Sequence, residues 1–421
     1  MDAHMRVLRE YSLVVIDGRI VACAPWLDAM TQYPDLIVVD RRSGILMPGL
    51  VNAHTHLAMN LLRGFADDKP LKTWLEQHVW PTEAAYLSPA YVRDGTALAL
   101  AECLLCGVTT VNDMYFFPDV TAATVLSAGM RATVGLIVLD IPTAWAGSVD
   151  EYISRGLSVH DTLRDEPLIT TAFAPHAPYT VSREPLERIA TLSAELDVPV
   201  HMHVHETAEE VQSFEREHGM RPIARLDEIG LLNSSLLAVH LTQLTDAEIV
   251  RLGEAGVNAI HCPESNLKLA SGVSPIADLI AAGVNIAVGT DGAASNNDLD
   301  LLGELRTASF LAKVFSDNAA TLPAAQALRM VTIDAAKALG LAEHIGSLEV
   351  GKAADCIIIE PGLGMLPIYD VLAQVIYTQS SQYVTDVWVA GKQLLQHRQL
   401  LTMDTDKIRH SAQTWAAKIS K

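Results

Sequence analysis

Histidines and carboxylates recur in this chain where short apolar segments end, and such groups could bind a metal ion and move protons. Imidazoles and carboxylates that meet in one pocket are typical ligands of zinc and related divalent cations. The same residue types act as general acids and bases. The candidates share a position directly after an apolar run: His54, His56, His176, His203, His205, Glu206, His240, His261 and Asp291. They indicate metal-assisted chemistry, provided that the fold brings the segment ends together.

The first pair of candidates, His54 and His56, lies in the segment PGLVNAHTH. Residues two apart on a β-strand point to the same side, so both rings face one pocket. A pair of this kind on its own also fits two ordinary histidines of the core or the surface. Its place at the end of the first apolar segment favours metal ligation.

Three histidines, His201, His203 and His205, share one face of the fifth segment. Each step of two residues moves about 6–7 Å along a strand, so all three cannot reach the same metal ion. Spacing alone does not choose between His203 and His205. The others are expected to fill the core or to support the ligands.

Asp291 lies in VGTDGAASNN, where an apolar run breaks into a glycine-rich turn. We expect its carboxylate to bind the metal and to accept a proton from water, although a turn aspartate that caps the next helix is the alternative. His240 follows SLLAV and ends the sixth segment. It fits either a site residue or a buried histidine bonded to the backbone.

The lysines argue for a single metal ion. None occurs between Lys72 and Lys268. The second to seventh strands therefore cannot supply a carbamylated lysine that bridges two metals, which favours a mononuclear site.

Eight apolar, β-branched segments alternate with amphipathic stretches such as 183–197 and 244–256. This alternation is typical of parallel strands joined by helices, and eight repeats predict an α/β fold closed into a (β/α)8 barrel. Active sites of such barrels lie at the carboxyl ends of the strands, where the candidate residues stand. The segments are 49–56, 107–114, 131–138, 168–176, 199–207, 235–242, 258–266 and 285–293.

The two ends of the chain have a different pattern, with short strand–turn–strand signals instead of alternating helices. We expect residues 1–47 and 348–421 to combine into one small β-sandwich domain beside a barrel formed by residues 48–347. A stretch rich in Asp, Lys and Trp, residues 64–86, is expected to form a lid over the site. Residues 404–418 are expected to form a final helix.

Composition excludes several classes of function. The formal net charge of −20 repels phosphate backbones, so nucleic acid is not an expected partner. No run of about 18 apolar residues occurs, so we expect no membrane span, and we also expect no secretory signal. The five cysteines are scattered, which fits the reducing cytoplasm, and the pair Cys103 and Cys106 is expected to pack within a helix. A homo-oligomer is left open.

Beyond these residue patterns, the chain resembles the amidohydrolase superfamily. PGLVNAHTH, the H-x-x-E of His203 and Glu206, LAVH and GTDGAASNN occur in order and at suitable spacing, and the resemblance covers nearly the whole chain. More narrowly, the chain resembles the 5-methylthioadenosine/S-adenosylhomocysteine deaminases, in the branch that includes guanine deaminases and chlorohydrolases. The segments HLAMNLLRGFADD, APHAPYT, HCPESNLKLASG and GTDGAASNNDLDLL carry this narrower likeness.

The resemblance implies a role for each candidate residue. The metal, most simply Zn²⁺ with Fe²⁺ or Mn²⁺ as alternatives, would be held by His54, His56, His203 and Asp291. Glu206 would shuttle protons and contact the substrate, while His240 and Asp291 would act on the attacking water. The remaining substrate contacts would be Glu83 on the ribose, His176 on the purine, and Trp74 and Ser295 along the base pocket.

The activity implied is hydrolysis of a C–N bond in a cyclic amidine. An adenine nucleoside (5-methylthioadenosine, S-adenosylhomocysteine or adenosine) would lose its amino group to give the inosine analogue and ammonia. A second hypothesis keeps the site and changes the substrate to another amino- or halo-substituted heterocycle, such as guanine or a triazine. A third is a metal-binding barrel without catalysis.

Overall fold

The computed structural model of the protein describes residues 1–420 and contains fifteen β-strands among them. The predicted apolar segments correspond to β4 through β11, in the same order. The strands are β1 Tyr11–Ile16, β2 Arg19–Pro25, β3 Ile45–Pro48, β4 Leu50–Thr55, β5 Val108–Asp113, β6 Arg131–Val138, β7 Ile169–Pro175, β8 Val200–Val204, β9 Leu236–His240, β10 Asn258–His261, β11 Asn285–Val288, β12 Cys356–Ile359, β13 Val384–Val389, β14 Lys392–Gln396 and β15 Gln399–Leu400.

The helices lie mainly between the strands β4 to β11 and after them. The expected helices at 183–197, 244–256 and 404–418 correspond to α7, α10 and α18 in the following series. The α-helices are α1 Trp26–Gln32, α2 Leu71–Trp74, α3 Trp80–Tyr86, α4 Pro89–Leu105, α5 Pro118–Ala128, α6 Val149–Leu163, α7 Arg183–Leu196, α8 Ala208–His218, α9 Pro222–Glu228, α10 Asp246–Ala255, α11 Pro263–Lys268, α12 Ile276–Ala281, α13 Ala293–Asn296, α14 Leu301–Phe315, α15 Ala324–Arg329, α16 Ile333–Ala338, α17 Val371–Tyr377 and α18 Thr405–Ile419.

Strands β4 to β11 form one parallel sheet in sequence order. Every residue of β4, β5 and β6 is buried, as expected of parallel strands covered on both faces. The sheet curves until its two edge strands meet. The N–H of Asp291 donates to the carbonyl of His54 at 3.1 Å, and a Cβ on Gly289 would lie only 2.6 Å from the backbone nitrogen of His54. Gly289 therefore allows β11 to approach β4 and close the barrel. The predicted (β/α)8 barrel is confirmed.

A second, antiparallel sheet has the order β15-β14-β13-β12-β3 and joins a strand that precedes the barrel to four that follow it. The hairpin β1–β2 forms a sheet of its own, hydrogen-bonded to residues 351–354, and turns at Asp17 and Gly18, both with positive φ. The barrel with a small β domain is thus the observed architecture. The division at residues 47 and 348 stays a prediction.

The segment expected to form a lid is helical in its second half. Residues 71–86 form α2, a π-helical turn at Leu75–Val79, and α3. Two ion pairs connect the segment to α11 and α8. Lys268 Nζ donates to Asp67 at 2.8 Å, and Lys72 Nζ lies 3.2 Å from a carboxylate oxygen of Glu209.

Within residues 1–420, we find no helix with the length and apolar character needed to cross a membrane.

Candidate metal centre

The imidazoles of His54 and His56 converge on the carboxylate of Asp291, as the closure of the barrel requires. The Nε2 atoms of His54 and His56 lie 3.3 and 3.2 Å from the same oxygen, Oδ1 of Asp291. His203 comes from β8, across the mouth, and its Nε2 lies 3.3 Å from Nε2 of His56. These atoms belong to residues up to 237 positions apart in the sequence.

Three distances between these atoms, His54–Asp291, His56–Asp291 and His56–His203, fit a tetrahedral metal site. Zinc ligands at about 2.0–2.1 Å and tetrahedral angles lie about 3.3–3.4 Å from one another, close to the distances measured here. His240 also approaches the cluster. The ring nitrogen that it could offer to a metal ion lies within 4.8 Å of the corresponding nitrogens of His54 and His203. Three nitrogens and one carboxylate oxygen form a donor set that suits zinc and similar divalent cations.

The second nitrogen of each imidazole is held by a hydrogen bond, which fixes the direction of its Nε2. Nδ1 of His56 donates to the carbonyl of Met114 at 2.6 Å, and Nδ1 of His203 donates to the carbonyl of His176 at 2.8 Å. A carbonyl can only accept, so both rings carry a proton on Nδ1, and the neutral form of each ring presents a lone pair on Nε2. Metal-binding histidines are commonly held in this way.

Several buried side-chain nitrogens among residues 1–420 have no hydrogen-bonding partner, and one of them belongs to the cluster. Nε2 of His54 makes no aligned hydrogen bond, although Asp291 Oδ1 lies 3.3 Å away. A buried polar atom left without a partner is costly, and coordination of a cation would satisfy it. The residues present therefore fit a divalent metal ion.

The pKa values of the cluster residues differ strongly from their ordinary values. Burial lowers the pKa of His54 to about 4 and that of His203 well below its usual value. Burial opposes the charge on His56 as well, but Asp291 outweighs it and raises the pKa of His56 to about 9. Burial alone would raise the pKa of Asp291, yet the two adjoining imidazoles hold it well below its ordinary range. The carboxylate is therefore ionised and available to a cation.

Glu206 lies beside the cluster, at the end of β8, where backbone contacts hold it in place. Its N–H donates to Glu210 Oε2 at 2.7 Å, its carbonyl accepts from the Thr242 hydroxyl at 2.7 Å, and its Oε2 lies 3.7 Å from His240 Nε2. Burial, with a contribution from the charge of Asp291, raises the pKa of Glu206 to about 8. The ordinary value near 4.3 does not apply, so this carboxyl group carries a proton at neutral pH and can donate it.

Several residues at the barrel mouth have left-handed backbone conformations that non-glycine residues rarely adopt. The φ angles of His205, His240 and Asp291 are 54°, 77° and 60°. Such strained residues cluster at functional sites because the surrounding structure must hold them. Two of these residues, His240 and Asp291, belong to the cluster, and His205 directly follows the end of β8.

The profile of the amidohydrolase family matches residues 45–394 of the sequence. The chain belongs to the amidohydrolase family. A relative from Teredinibacter turnerae, named 5-methylthioadenosine/S-adenosylhomocysteine deaminase, is 47% identical over 417 residues, which are 99% of this chain and 94% of the relative. A zinc-bound crystal structure of an adenosine deaminase from Xanthomonas campestris is 51% identical, with a TM-score of 0.97 and coverage of 100% of this chain and 96% of that one.

A more distant solved structure shares the same architecture. The atrazine chlorohydrolase from Arthrobacter aurescens, crystallised with zinc, is 25% identical with a TM-score of 0.90, and the match covers 97% of this chain and 96% of the other. The chain is thus a hydrolase of the amidohydrolase family.

In this amidohydrolase, the structure places two predicted substrate residues at the mouth. His176 lies against His203, with ring centroids 4.8 Å apart, and its Nδ1 pairs with the Thr180 hydroxyl at 2.9 Å. Glu83, on α3, is half-buried and accepts a 2.6 Å hydrogen bond from the Tyr115 hydroxyl. Burial raises the pKa of Glu83 to about 7 despite this hydrogen bond. Their contacts with a substrate stay predictions.

The other two predicted substrate residues have contacts within the protein. Ser295 donates its hydroxyl to Oδ2 of Asp291 at 3.0 Å, so it supports the carboxylate. Trp74 is buried, with Nε1 at 3.4 Å from the carbonyl of Phe65, and lines a small surface cavity next to Ala294. Contacts of Ser295 and Trp74 with a purine base also stay predictions.

Several residues around the site were not assigned a role from the sequence. Ser265 donates to Oδ2 of Asp291 at 2.7 Å, and Asn266 Oδ1 lies 2.9 Å from His240 Nδ1. Glu210 accepts the N–H groups of the turn that carries Glu206, because it is part of the capping box at the start of α8. The T-x-x-E spacing of a capping box is visible in the sequence, but its connection to the site is not.

Proposed function

We propose that this chain is a metal-dependent deaminase that hydrolyses an adenine nucleoside to the inosine analogue and ammonia. The observation that carries the proposal is the convergence of His54, His56, His203 and Asp291 beside the buried carboxyl group of Glu206. The names of the full-length relatives support an adenine nucleoside as the substrate, with 5-methylthioadenosine, S-adenosylhomocysteine and adenosine as candidates.

The proposed ligands of a single divalent cation are His54, His56, His203 and Asp291. Zinc is the proposed metal, since two similar structures contain it. When bound, such a cation supplies a water molecule of lowered pKa, and therefore hydroxide near neutral pH. His240 is proposed to face this water instead of joining the ligands, because its Nε2 also faces Glu206 Oε2.

The protein's own groups are proposed to move the protons. Asp291 accepts a proton from the attacking water, and His240 holds the water toward C6 of the purine by a hydrogen bond. As the C6–O bond forms, the protonated carboxyl group of Glu206 delivers its proton to N1, which neutralises the charge that develops there. The proton held by Asp291 then passes to the amino group, the C6–N bond breaks and ammonia leaves. The proton of the new hydroxyl group returns to Glu206 as the 6-oxo product forms.

The nucleoside is proposed to bind between the lid and the barrel mouth. Glu83 would accept hydrogen bonds from the ribose hydroxyl groups, and the Tyr115 hydroxyl keeps one of its oxygens in place. His176 would contact the purine, while Trp74 and Ser295 border the base.

We expect Glu83→Gln to weaken substrate binding much more than the chemical step. Hydrogen bonds to a charged group contribute about 1.5–3 kcal/mol, so KM for the nucleoside should rise by about 10–100-fold. Steady-state kinetics measure this rise. Glu76→Gln changes an exposed glutamate of the same segment and should leave KM unchanged. A fall of kcat in Glu83→Gln with an unchanged KM would contradict the proposed contact between Glu83 and the ribose.

The substrate is tested by incubating the protein with a panel of compounds and measuring ammonia release. Adenosine, 5-methylthioadenosine and S-adenosylhomocysteine should react, each with its own kcat/KM, and guanine should not. A chlorotriazine, assayed by chloride release, tests the alternative that the similarity to atrazine chlorohydrolase favours. Turnover of guanine or the triazine alone would overturn the nucleoside proposal. Chelation should abolish turnover and zinc should restore it.

The compartment and the partners are also proposed here. All five cysteines are free, which agrees with a reducing cytoplasm. The net charge of −20 argues for a small-molecule substrate and against nucleic acid as a partner.

A further inference from the structure

His201 is placed directly behind His54, on the side away from the metal position. Nε2 of His201 lies 2.7 Å from Nδ1 of His54, and the two rings meet edge to face with centroids 4.8 Å apart. Both side chains have an exposed fraction of 0%. His201 lies two residues before His203 on β8, so the same strand supplies a proposed ligand and the neighbour of another.

The support of His54 differs from that of the other histidines in the cluster. His56 and His203 donate to backbone carbonyls, which can only accept, so their tautomers are determined. The partner of His54 is an imidazole, which can either donate or accept a hydrogen bond. Two neutral arrangements of the pair are therefore available, and they have opposite consequences at Nε2 of His54.

In one arrangement His201 donates from Nε2 to Nδ1 of His54, and the proton of His54 then lies on Nε2, where it blocks coordination. In the other, His54 donates from Nδ1 to Nε2 of His201, and Nε2 of His54 has a free lone pair. The second arrangement requires the proton of His201 on Nδ1. That atom is buried and has no hydrogen-bond partner within residues 1–420.

We propose that His201 is a positioning residue that accepts the Nδ1 proton of His54 and so presents Nε2 of His54 to the metal ion. This role rests on the metal site in the proposed function. In this arrangement the proton on Nδ1 of His201 stays without a partner within residues 1–420, a cost that coordination of the cation by His54 would offset. A side chain that places a hydrogen-bond acceptor at the position of His201 Nε2 should preserve metal binding by His54. An apolar side chain at this position should not.

The experiment compares zinc affinity in two variants of the full chain. His201→Leu removes the acceptor, and His201→Gln can place its amide oxygen near the position of Nε2. Competition with a chromogenic chelator should show zinc binding about 10–100-fold weaker in His201→Leu, the range found for groups that support metal ligands. His201→Gln should recover most of the affinity. Thermal unfolding of the metal-free proteins separates this effect from a general loss of stability.

A second measurement uses the parent protein and does not depend on whether a variant folds. With ¹⁵N-labelled histidine, long-range ¹H–¹⁵N spectra of the zinc-loaded protein should show His201 as the neutral Nδ1–H tautomer and His54 with zinc on Nε2. An Nε2–H tautomer at His201, or undiminished zinc affinity in His201→Leu, would overturn the positioning role alone. Absence of zinc binding by the parent protein would instead overturn the proposed metal site together with this role.

Discussion

Glu206→Gln is expected to lower kcat by about 10²–10⁴-fold, the usual contribution of a general acid or base, while the protein still binds its metal. The amide has nearly the shape of the protonated carboxyl group, but it cannot deliver a proton to N1 or take one up again. The backbone contacts of Glu206 with Glu210 and Thr242 are unaffected by the change, so the turn should keep its structure. Steady-state kinetics and metal analysis of the purified variant measure both parts of the expectation.

A matched control for this variant is Glu209→Gln. Glu209 lies three residues later, and its side chain is 62% exposed beside Lys72. An exposed ion pair of this kind contributes little, so kcat should stay near that of the parent. If Glu206→Gln retained full activity, Glu206 would have no part in the proton transfers.

Asp291→Asn is expected to have a comparably large effect, for two reasons. It replaces the anionic ligand of the proposed set by a neutral one, and it removes the proposed acceptor of the water proton. The loss of the acceptor alone should lower kcat by about 10²–10⁴-fold even when zinc is added in excess. The loss of the ligand should lower the metal content of the purified protein, measured by elemental analysis.

The hydrogen bonds to Asp291 indicate which part of the site the substitution changes. Its Oδ2 accepts from the hydroxyls of Ser265 and Ser295, and these donors suit a carboxylate or an amide oxygen. The variant side chain can therefore keep the hydrogen bonds from Ser265 and Ser295 to an amide oxygen, while its amide nitrogen replaces Oδ1 next to the histidines. Asp278→Asn, at an exposed position on α12, is the control and should change neither metal content nor rate. A fully active Asp291→Asn would remove Asp291 from the site.

The barrel could be predicted from the sequence because parallel strands buried on both faces have continuous apolar runs. The third predicted segment, 131–138, has the same bounds as β6. The seventh segment, 258–266, contains a strand that ends at His261, as expected, and its later residues belong to α11, which begins at Pro263. Proline suits the first position of a helix, and the polar residues after it lie on that helix instead of on the strand.

The candidate site was only partly predictable from spacing. The period of two along a strand places His201, His203 and His205 on one face, but it does not say where the strand ends. In the structure β8 ends at Val204, and His205 turns with a φ of 54° so that its ring pairs with the carbonyl of Gln243 and the N–H of Ile223. Only His203 of the three faces His56 across the mouth, at 3.3 Å.

The sequence by itself determined the chemical groups and the strand ends that carry them, because side-chain type and apolar periodicity are local properties of the chain. The tertiary structure decided which nitrogen of each imidazole faces the cluster and which side chains support Asp291, His240 and His54. Those features depend on hydrogen bonds between strands far apart in sequence, such as the one between the N–H of Asp291 and the carbonyl of His54 at the barrel closure. No local pattern records them, since each bond forms only when the eight strands have closed into a ring.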